Sequence, residues 1–231
     1  MRGDGGYHQF CPVALAAEVA CARWTPLILR DLFGGSTRFN ELQRGVPRMS
    51  TALLAKRLKE MEATGLIERR PGDQGGPEYH LTAAGRDLLP LIEALGSWGL
   101  RHVDPEVTLQ KLDAPLLMWK IRGGLDPSPP PPGRCTIEFN FPDAPVRSRR
   151  FWLIVEAAGV DLCATDPGFP TDVYVTAHLR AVTAVWLGLA DPREEIESGR
   201  IEISGTIALV RLVCRWLGES PAARARRQLA A

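Results

Sequence analysis

The sequence predicts an α+β protein in two parts: a winged helix-turn-helix, mostly helical with one β-hairpin, and then a segment of strands followed by helices. Three observations predict this arrangement. Capped helical segments fill residues 13–64, a glycine-rich loop joins two short β-prone segments at 66–81, and apolar residues alternate from Cys135. We place the boundary near Asp104-Pro105, with domains at 1–102 and 105–220 and a basic tail at 221–231.

Three helices are predicted before residue 45. Val13–Ala22 is rich in alanine, a strong helix former. Pro26–Phe33 begins with a proline, and we expect Thr25 to cap it. The short third helix, Arg38–Arg44, leads into a turn over Gly45-Val46-Pro47.

The sequence of the fourth helix predicts that it has two chemically different faces. Ser50 can cap Thr51–Thr64, in which Leu54, Leu58 and Met61 repeat at the spacing of one buried stripe. The opposite face carries small residues and lysines. Lysines reach phosphates or guanine, and small side chains pack on thymine methyls, so this face suits a DNA major groove.

Leu53 and Arg57 lie on the flank of this helix, between its two faces. Leu53 could belong to the core or contact a base, and we favour the core; Arg57 is the other flanking residue.

A β-hairpin, the predicted wing, follows the helix. Leu66–Arg70 and Glu78–Leu81 read as strands joined by the glycine-rich residues 71–77. Arg69 and Arg70 lie at its base, where they can contact backbone phosphates. Thr82 caps a last helix reaching about Leu100, whose apolar content predicts dimer contacts.

Positive charge is concentrated in this region. The chain has a net charge of +1, but residues 38–70 contain eight basic and four acidic residues, and residues from 103 onward contain 15 and 16. A local basic patch is what a DNA-binding surface requires. The candidate DNA-contacting residues are Arg38, Arg48, Ser50, Thr51, Ala52, Lys56, Arg57, Lys59, Arg69, Arg70 and Gln74.

Several classes of function lack support. The five cysteines form no CxxC and the four histidines are scattered, so we expect no metal site, no cofactor and a reducing cytoplasmic setting. No nucleophile elbow, phosphate loop or paired-acid motif occurs, so we predict that the protein is not an enzyme. No secretory signal and no membrane-spanning run is recognised.

In the C-terminal half, apolar and polar residues first alternate as in β-strands and later repeat with the period of a helix. We predict a helix at Val107–Arg122, a proline-rich loop at Asp126–Gly133 and three or four antiparallel strands between Cys135 and Ala177. Apolar helices follow at Leu179–Leu189 and Thr206–Leu217, with a short acidic helix and an extended segment between them. Ala222–Ala231 is expected to be a frayed tail.

Several N-terminal motifs, in order, resemble those of the HxlR-type winged helix regulators over about residues 9–101. They are Cys11-Pro12, Arg23-Trp24-Thr25, Arg38-Phe39-Asn40-Glu41-Leu42, Gly65-Leu66-Ile67 and Tyr79-His80-Leu81-Thr82-Ala83-Ala84-Gly85-Arg86. The resemblance implies a homodimeric transcription factor that binds double-stranded DNA at a pseudo-palindromic operator. Members of this family usually have a glycine before the basic residue and the tryptophan, where this sequence has Ala22. Cys11 occupies a position that senses oxidants or electrophiles in some members, although we favour a packing role.

The order Asp172–Thr176, Leu179–Leu189, Gly199–Gly205 (GRIEISG) and Leu209–Leu217 resembles the closing elements of the sterol-carrier-protein fold. This resemblance, over about residues 105–220, implies a cavity for apolar molecules. The aromatic residues expected near it are Trp119, Phe139, Phe141, Trp152 and Trp186.

Two hypotheses follow. In the first, the protein is a bacterial DNA-binding transcriptional regulator whose C-terminal domain binds an apolar small-molecule effector that modulates DNA binding. In the second, that domain is only a dimerisation or protein-interaction module, and sensing depends on Cys11 or on a partner.

Overall fold

The computed structural model describes residues 6–72, 75–218 and 221–230. The chain divides into two compact units, Met1–Gly96 and Ser97–Ala231, which we call the N-terminal and C-terminal units. Both contain helices and strands, which confirms the mixed class that the sequence predicts. Gln74, one of the candidate DNA contacts, lies outside the described residues.

Four helices open the N-terminal unit: α1 (Pro12–Ala20), α2 (Thr25–Phe33), α3 (Phe39–Gly45) and α4 (Thr51–Ala63). The apolar stripe predicted on α4 is confirmed, because Leu54, Leu58 and Met61 are all buried. They belong to one core cluster with Ile28 of α2 and Leu42 of α3. This shared core fixes α3 and α4 as a helix-turn-helix pair.

The start of α2 differs from the prediction that Thr25 caps it. Thr25 is the first residue of the helix, and its backbone N–H donates to the carbonyl of Ala22 (2.9 Å), which draws it into the helical turn. Trp24 precedes it with a left-handed φ of 78°, a conformation that is uncommon outside glycine. Pro26 lies in the first turn, as expected.

The predicted wing is present as β1 (Ile67–Pro71) and β2 (Pro77–Leu81), an antiparallel pair in which Ile67 faces Leu81 and Pro71 faces Pro77. The segment before α3 extends this small sheet. Arg38 forms an isolated antiparallel bridge with Glu78, and the N–H of Tyr79 donates to the carbonyl of Thr37 (2.8 Å). The wing is therefore tied by its backbone to the start of the helix-turn-helix pair.

Two helices that the sequence predicts as continuous are each broken before a proline. The helix expected from Thr82 to Leu100 is α5 (Ala83–Arg86) and α6 (Leu89–His102), and the one expected at Val107–Arg122 is α7 (Pro105–Leu109) and α8 (Ala114–Gly124). Pro90 and Pro115 lack the N–H that an interior position needs, and each ring would clash with the carbonyl four residues earlier. Asp113 caps the second fragment by accepting from the N–H of Leu116 (3.0 Å).

The C-terminal unit contains a five-stranded sheet, in the order β5-β4-β3-β6-β7. Its strands are β3 (Cys135–Asn140), β4 (Arg150–Glu156), β5 (Gly159–Cys163), β6 (Val173–Ala177) and β7 (Ile201–Gly205). The expectation of purely antiparallel strands is wrong, because β3 and β6 pair in parallel. After the β4–β5 hairpin the chain crosses back to the free side of β3, and such a crossover lets β6 run in the same direction as β3.

Helices complete the C-terminal unit: α9 (Leu179–Trp186), α10 (Pro192–Glu197), α11 (Ile207–Gly218) and α12 (Pro221–Ala230). Its core joins Phe139 and Val175 of the sheet to Met118 of α8, Val182 of α9 and Trp216 of α11. The expectation of a frayed tail is wrong. Alanine and arginine are good helix formers, and a proline at the first position starts α12.

Among the described residues, no single helix is long and apolar enough to cross a membrane. The pair α1 and α2, which is bent by 73°, meets the length and composition requirement only when the two are taken together.

Candidate nucleic-acid interface

The solvent face of α4 is built by a capped helix start and a buried stripe on the opposite side. The hydroxyl of Ser50 accepts a hydrogen bond from the N–H of Leu53 (3.3 Å) and fixes the first turn. Leu53 is 36% exposed and lies outside the core cluster, so the preferred core assignment for it is wrong. The exposed residues of this face are Thr51, Ala52, Ala55, Lys56 and Lys59.

The cations around α4 fall into two groups. Within the described part of the chain, no ion pair joins Arg48, Lys56, Lys59 or Arg69 to another residue, and all four are exposed. Arg57 differs, because its Nη1 lies 2.7 Å from Oε2 of Glu60 on the same helix. The four exposed cations can reach an approaching phosphate without first breaking an ion pair.

The turn between α3 and α4 rests on a charged group that we call the turn clamp: Arg30, Asp31 and Gly45. Arg30 donates from Nε and Nη2 to the Asp31 carboxylate (3.1 and 3.0 Å) and from Nη2 to the carbonyl of Gly45 (2.9 Å). Asp31 is only 3% exposed. A Cβ at position 45 would lie 1.8 Å from Oδ2 of Asp31, so glycine is needed for this approach.

The outer face of the wing carries three charged residues side by side, which we call the wing row: Arg70, Glu78 and Arg38. Arg70 is the cross-strand partner of Glu78, and Arg38 is bridged to Glu78 on its other side. Nε of Arg38 lies 3.4 Å from Oε1 of Glu78, and Nε2 of His80 lies 3.3 Å from Oε2. Arg70 also forms an ion pair with Glu68 on its own strand. Two of the predicted DNA contacts therefore flank a carboxylate in the free protein.

Glu78 and Asp31 are not among the site residues predicted from the sequence. The position of Glu78 could have been predicted, because pairing two five-residue strands across residues 72–76 places it opposite Arg70. The role of Asp31 could not have been predicted, because its contact with Gly45 spans 14 residues and depends on how α2 packs against α3.

The structure does not bring together the five aromatic residues expected near a cavity in the C-terminal unit. Phe139 and Phe141 lie in the core, with ring centroids 6.2 Å apart. Trp152 belongs to β4 but points to the other face, because its neighbours Phe151 and Leu153 face the core. Trp119 stacks under the guanidinium of Arg122 (4.9 Å from the ring centroid).

Trp186, the fifth aromatic, lines an apolar pocket of the C-terminal unit. The pocket has an internal volume of about 10 Å³, room for about one water molecule, and its walls are apolar. Its walls come from α9, α10, β7 and α11 rather than from the middle of the sheet. The lining residues are Val182, Val185, Trp186, Pro192, Ile196, Ile201, Ile203, Cys214 and Leu217.

The cysteines differ in their environments. Cys11 precedes α1 and is partly exposed. Cys135 is buried in β3, and its burial, with a smaller contribution from Asp172, raises the pKa of its thiol to about 11. Burial also raises the pKa of Cys214. No group of three or more His, Cys, Asp or Glu residues suited to a metal occurs among the described residues.

Comparison with known proteins matches the N-terminal part. The model of a family described as HxlR-like helix-turn-helix matches residues 19–107. An uncharacterized HTH-type transcriptional regulator of Methanothermobacter thermautotrophicus is 35% identical over 99 residues, which cover 42% of this chain and 74% of that protein. The uncharacterized HTH-type transcriptional regulator YvaP of Bacillus subtilis is 34% identical over 100 residues, covering 42% and 93%.

Among solved structures, the redox regulator HypR in its oxidized form is 31% identical, covering 41% of this chain and 99% of that one with a TM-score of 0.39. That score supports no conclusion of its own. The sequence relatives and the matched family model, together with the observed helix pair and wing, establish that this chain belongs to the HxlR-like helix-turn-helix family of transcriptional regulators.

Proposed function

We propose that this protein regulates transcription by binding double-stranded DNA, with α4 in a major groove and the wing on the flanking backbone. The observation that carries the proposal is the exposed face of α4, where Lys56 and Lys59 point away from the core and pair with no other described residue. Short side chains at Thr51 and Ala52 let the start of the helix approach base edges. Arg48 and Arg69 supply further cations for phosphates.

We further propose that the protein acts as a homodimer on a pseudo-palindromic operator. Two helices expose apolar side chains that a monomer would leave in water. Phe10 is 98% exposed just before α1, Val13 on α1 is exposed, and α6 exposes Leu95 and Trp98 while burying none of its residues. In sedimentation velocity, Leu95→Glu should shift a wild-type dimer toward monomer; a wild-type monomer would contradict this proposal.

Fluorescence anisotropy tests the DNA proposal. The purified protein is titrated against labelled DNA from upstream of its own gene and against a random duplex, each over a salt series. Selective binding that weakens with salt supports the proposal, because each released counterion contributes to the slope. A duplex pool enriched by selection replaces the upstream DNA if the operator lies elsewhere, and failure to enrich any sequence contradicts the proposal.

For the C-terminal unit we propose the binding of an apolar small molecule that modulates DNA affinity, in a fold like that of sterol-carrier proteins. The apolar pocket beside Trp186 supports this, since apolar walls are what such ligands need. The order β6, α9, α10, β7, α11, with the GRIEISG segment at β7, also supports it. The apolar lining favours this hypothesis over an interaction module, and a ligand would have to widen a space that now holds about one water molecule.

Naphthalene is a suitable first probe because it is flat, apolar and small. Binding should change the tryptophan fluorescence of the wild-type protein, and Trp186→Phe should remove most of that change. A matched anisotropy titration with and without naphthalene measures coupling, because a ligand shifts DNA affinity only if it binds two states differently. Binding without any change in DNA affinity would contradict the effector role.

A further inference from the structure

We propose that Glu78 is a positioning residue of the DNA interface that sets sequence selectivity by holding the Arg38 side chain in place between operator encounters. The inference rests on the proposed function and adds a role for an acidic residue within a basic surface. It comes from the wing row, in which the carboxylate lies between two arginines that the sequence assigns to DNA.

The backbone around Arg38 is held from two sides. Oε2 of Glu41 accepts from the N–H groups of Thr37 (3.0 Å) and Arg38 (3.1 Å), and the bridge to β2 holds the same segment from the other side. The remaining freedom of Arg38 lies in its side chain. The contact of 3.4 Å between Nε and Oε1 of Glu78 restricts that freedom.

Arg70 lies on the other side of Glu78 in the small sheet, and its ion pair is with Glu68. Cross-strand partners have Cβ atoms about 4.5–5.5 Å apart, so the Arg70 stem lies beside Glu78, and its guanidinium is paired with Glu68. The side chain of Glu78 is 21% exposed, less than that of either arginine, so the carboxylate is the inner member of the row.

This arrangement has two consequences for binding. Glu68 and Glu78 offset the charge of Arg38 and Arg70, so random DNA attracts this face less than it attracts the exposed cations of α4. An operator with a phosphate where Glu78 holds Arg38 meets a guanidinium group already in place, so less side-chain entropy is lost on binding. Selectivity then depends on the carboxylate as well as on the cations.

The test compares two variants that remove the same charge from the same face. Glu78→Gln and Glu68→Gln should each tighten binding to a random duplex about two- to fivefold, as expected for a partly exposed charge pair. Glu78→Gln should also lower the ratio of operator to random affinity by at least about threefold. Glu68→Gln should leave that ratio within about 1.5-fold, because the ion pair of Glu68 is with Arg70.

Two further variants separate positioning from a structural role. Glu78→Asp keeps the charge but withdraws the carboxylate by one methylene, so it should lower the ratio without tightening random binding. In an Arg38→Ala background, Glu78→Gln should change the ratio by less than half as much as in the wild type. Thermal denaturation of each variant shows whether the fold is retained.

Identical behaviour of Glu78→Gln and Glu68→Gln on both duplexes would overturn the inference while leaving the proposed function intact. An unchanged ratio for Glu78→Asp would also overturn it. A wild-type protein that binds operator and random DNA equally would overturn the proposed function and the inference together.

Discussion

Gly45→Ala should destabilise the helix-turn-helix by acting on the turn clamp. The new Cβ would lie 1.8 Å from Oδ2 and 2.5 Å from Cγ of Asp31, whereas non-bonded heavy atoms are stable at about 3.5–4.0 Å. The carboxylate must therefore retreat by about 1.5 Å or more. Oδ2 is held 3.0 Å from Nη2 of Arg30, and a shift of that size breaks the hydrogen bond.

The expected cost combines three contributions. Overpacking costs about 1–3 kcal/mol, and a lost hydrogen bond to a charged group costs about 1.5–3 kcal/mol. Replacing a helical glycine by alanine returns up to about 1 kcal/mol. Because the Arg30 side chain is 37% exposed and can be rehydrated, we take the lower part of this range and expect a net loss of about 2–4 kcal/mol.

Hydrogen exchange measured by mass spectrometry on peptides from residues 26–63 is the appropriate assay, because it reports this unit separately from the rest of the chain. Protection should fall by about 30- to 800-fold for a loss of this size. Gly34→Ala is the matched control, since its Cβ would meet nothing closer than 3.4 Å and should change protection little.

A double-mutant cycle tests the cause. In an Asp31→Ala background the space that Cβ needs is empty, so Gly45→Ala should lose most of its cost. An equal cost in both backgrounds, or a Gly45→Ala protein as well protected as the Gly34→Ala control, would refute the reasoning.

Three further outcomes are expected. Lys56→Ala should reduce the slope of log affinity against log salt by about one unit, and an unchanged slope would mean that this lysine contacts no phosphate. Gly124→Ala should destabilise the C-terminal unit by about 1–3 kcal/mol in urea denaturation, because its Cβ would lie 2.9 Å from the Trp186 ring, whereas the adjacent Gly123→Ala meets nothing and should be neutral or stabilising. The raised pKa of Cys135 means that its neutral thiol is favoured by folding, so this contribution is full below about pH 9 and is lost toward about pH 11. The stability difference between wild type and Cys135→Ala should follow that window, and a pH-independent difference would contradict it.

Local sequence signals predicted much of the N-terminal unit. The stripe Leu54, Leu58 and Met61, the Ser50 cap and the glycine-rich hairpin loop each depend on residues within about one or two turns of one another. Their geometry is set by side-chain period and capping chemistry, so no knowledge of distant contacts was needed. The matched family agrees with that part of the chain.

Other features did not follow from the apolar period. Periodicity alone could not show that Pro90 and Pro115 interrupt their helices. The absence of a backbone N–H in proline could have indicated both breaks. The parallel pairing of β3 and β6 follows from a crossover, which no local pattern records.

The sequence by itself determined the basic helix-turn-helix and wing, because capping, apolar period and charge are properties of neighbouring residues. Only the tertiary structure decided which basic side chains are exposed and which form ion pairs. It placed Glu78 between Arg38 and Arg70 and set Asp31 against Gly45. It also put Trp186 beside the pocket and Trp152 on the opposite face of the sheet. These contacts join segments far apart in the chain, and their energies arise only once the backbone brings those segments together.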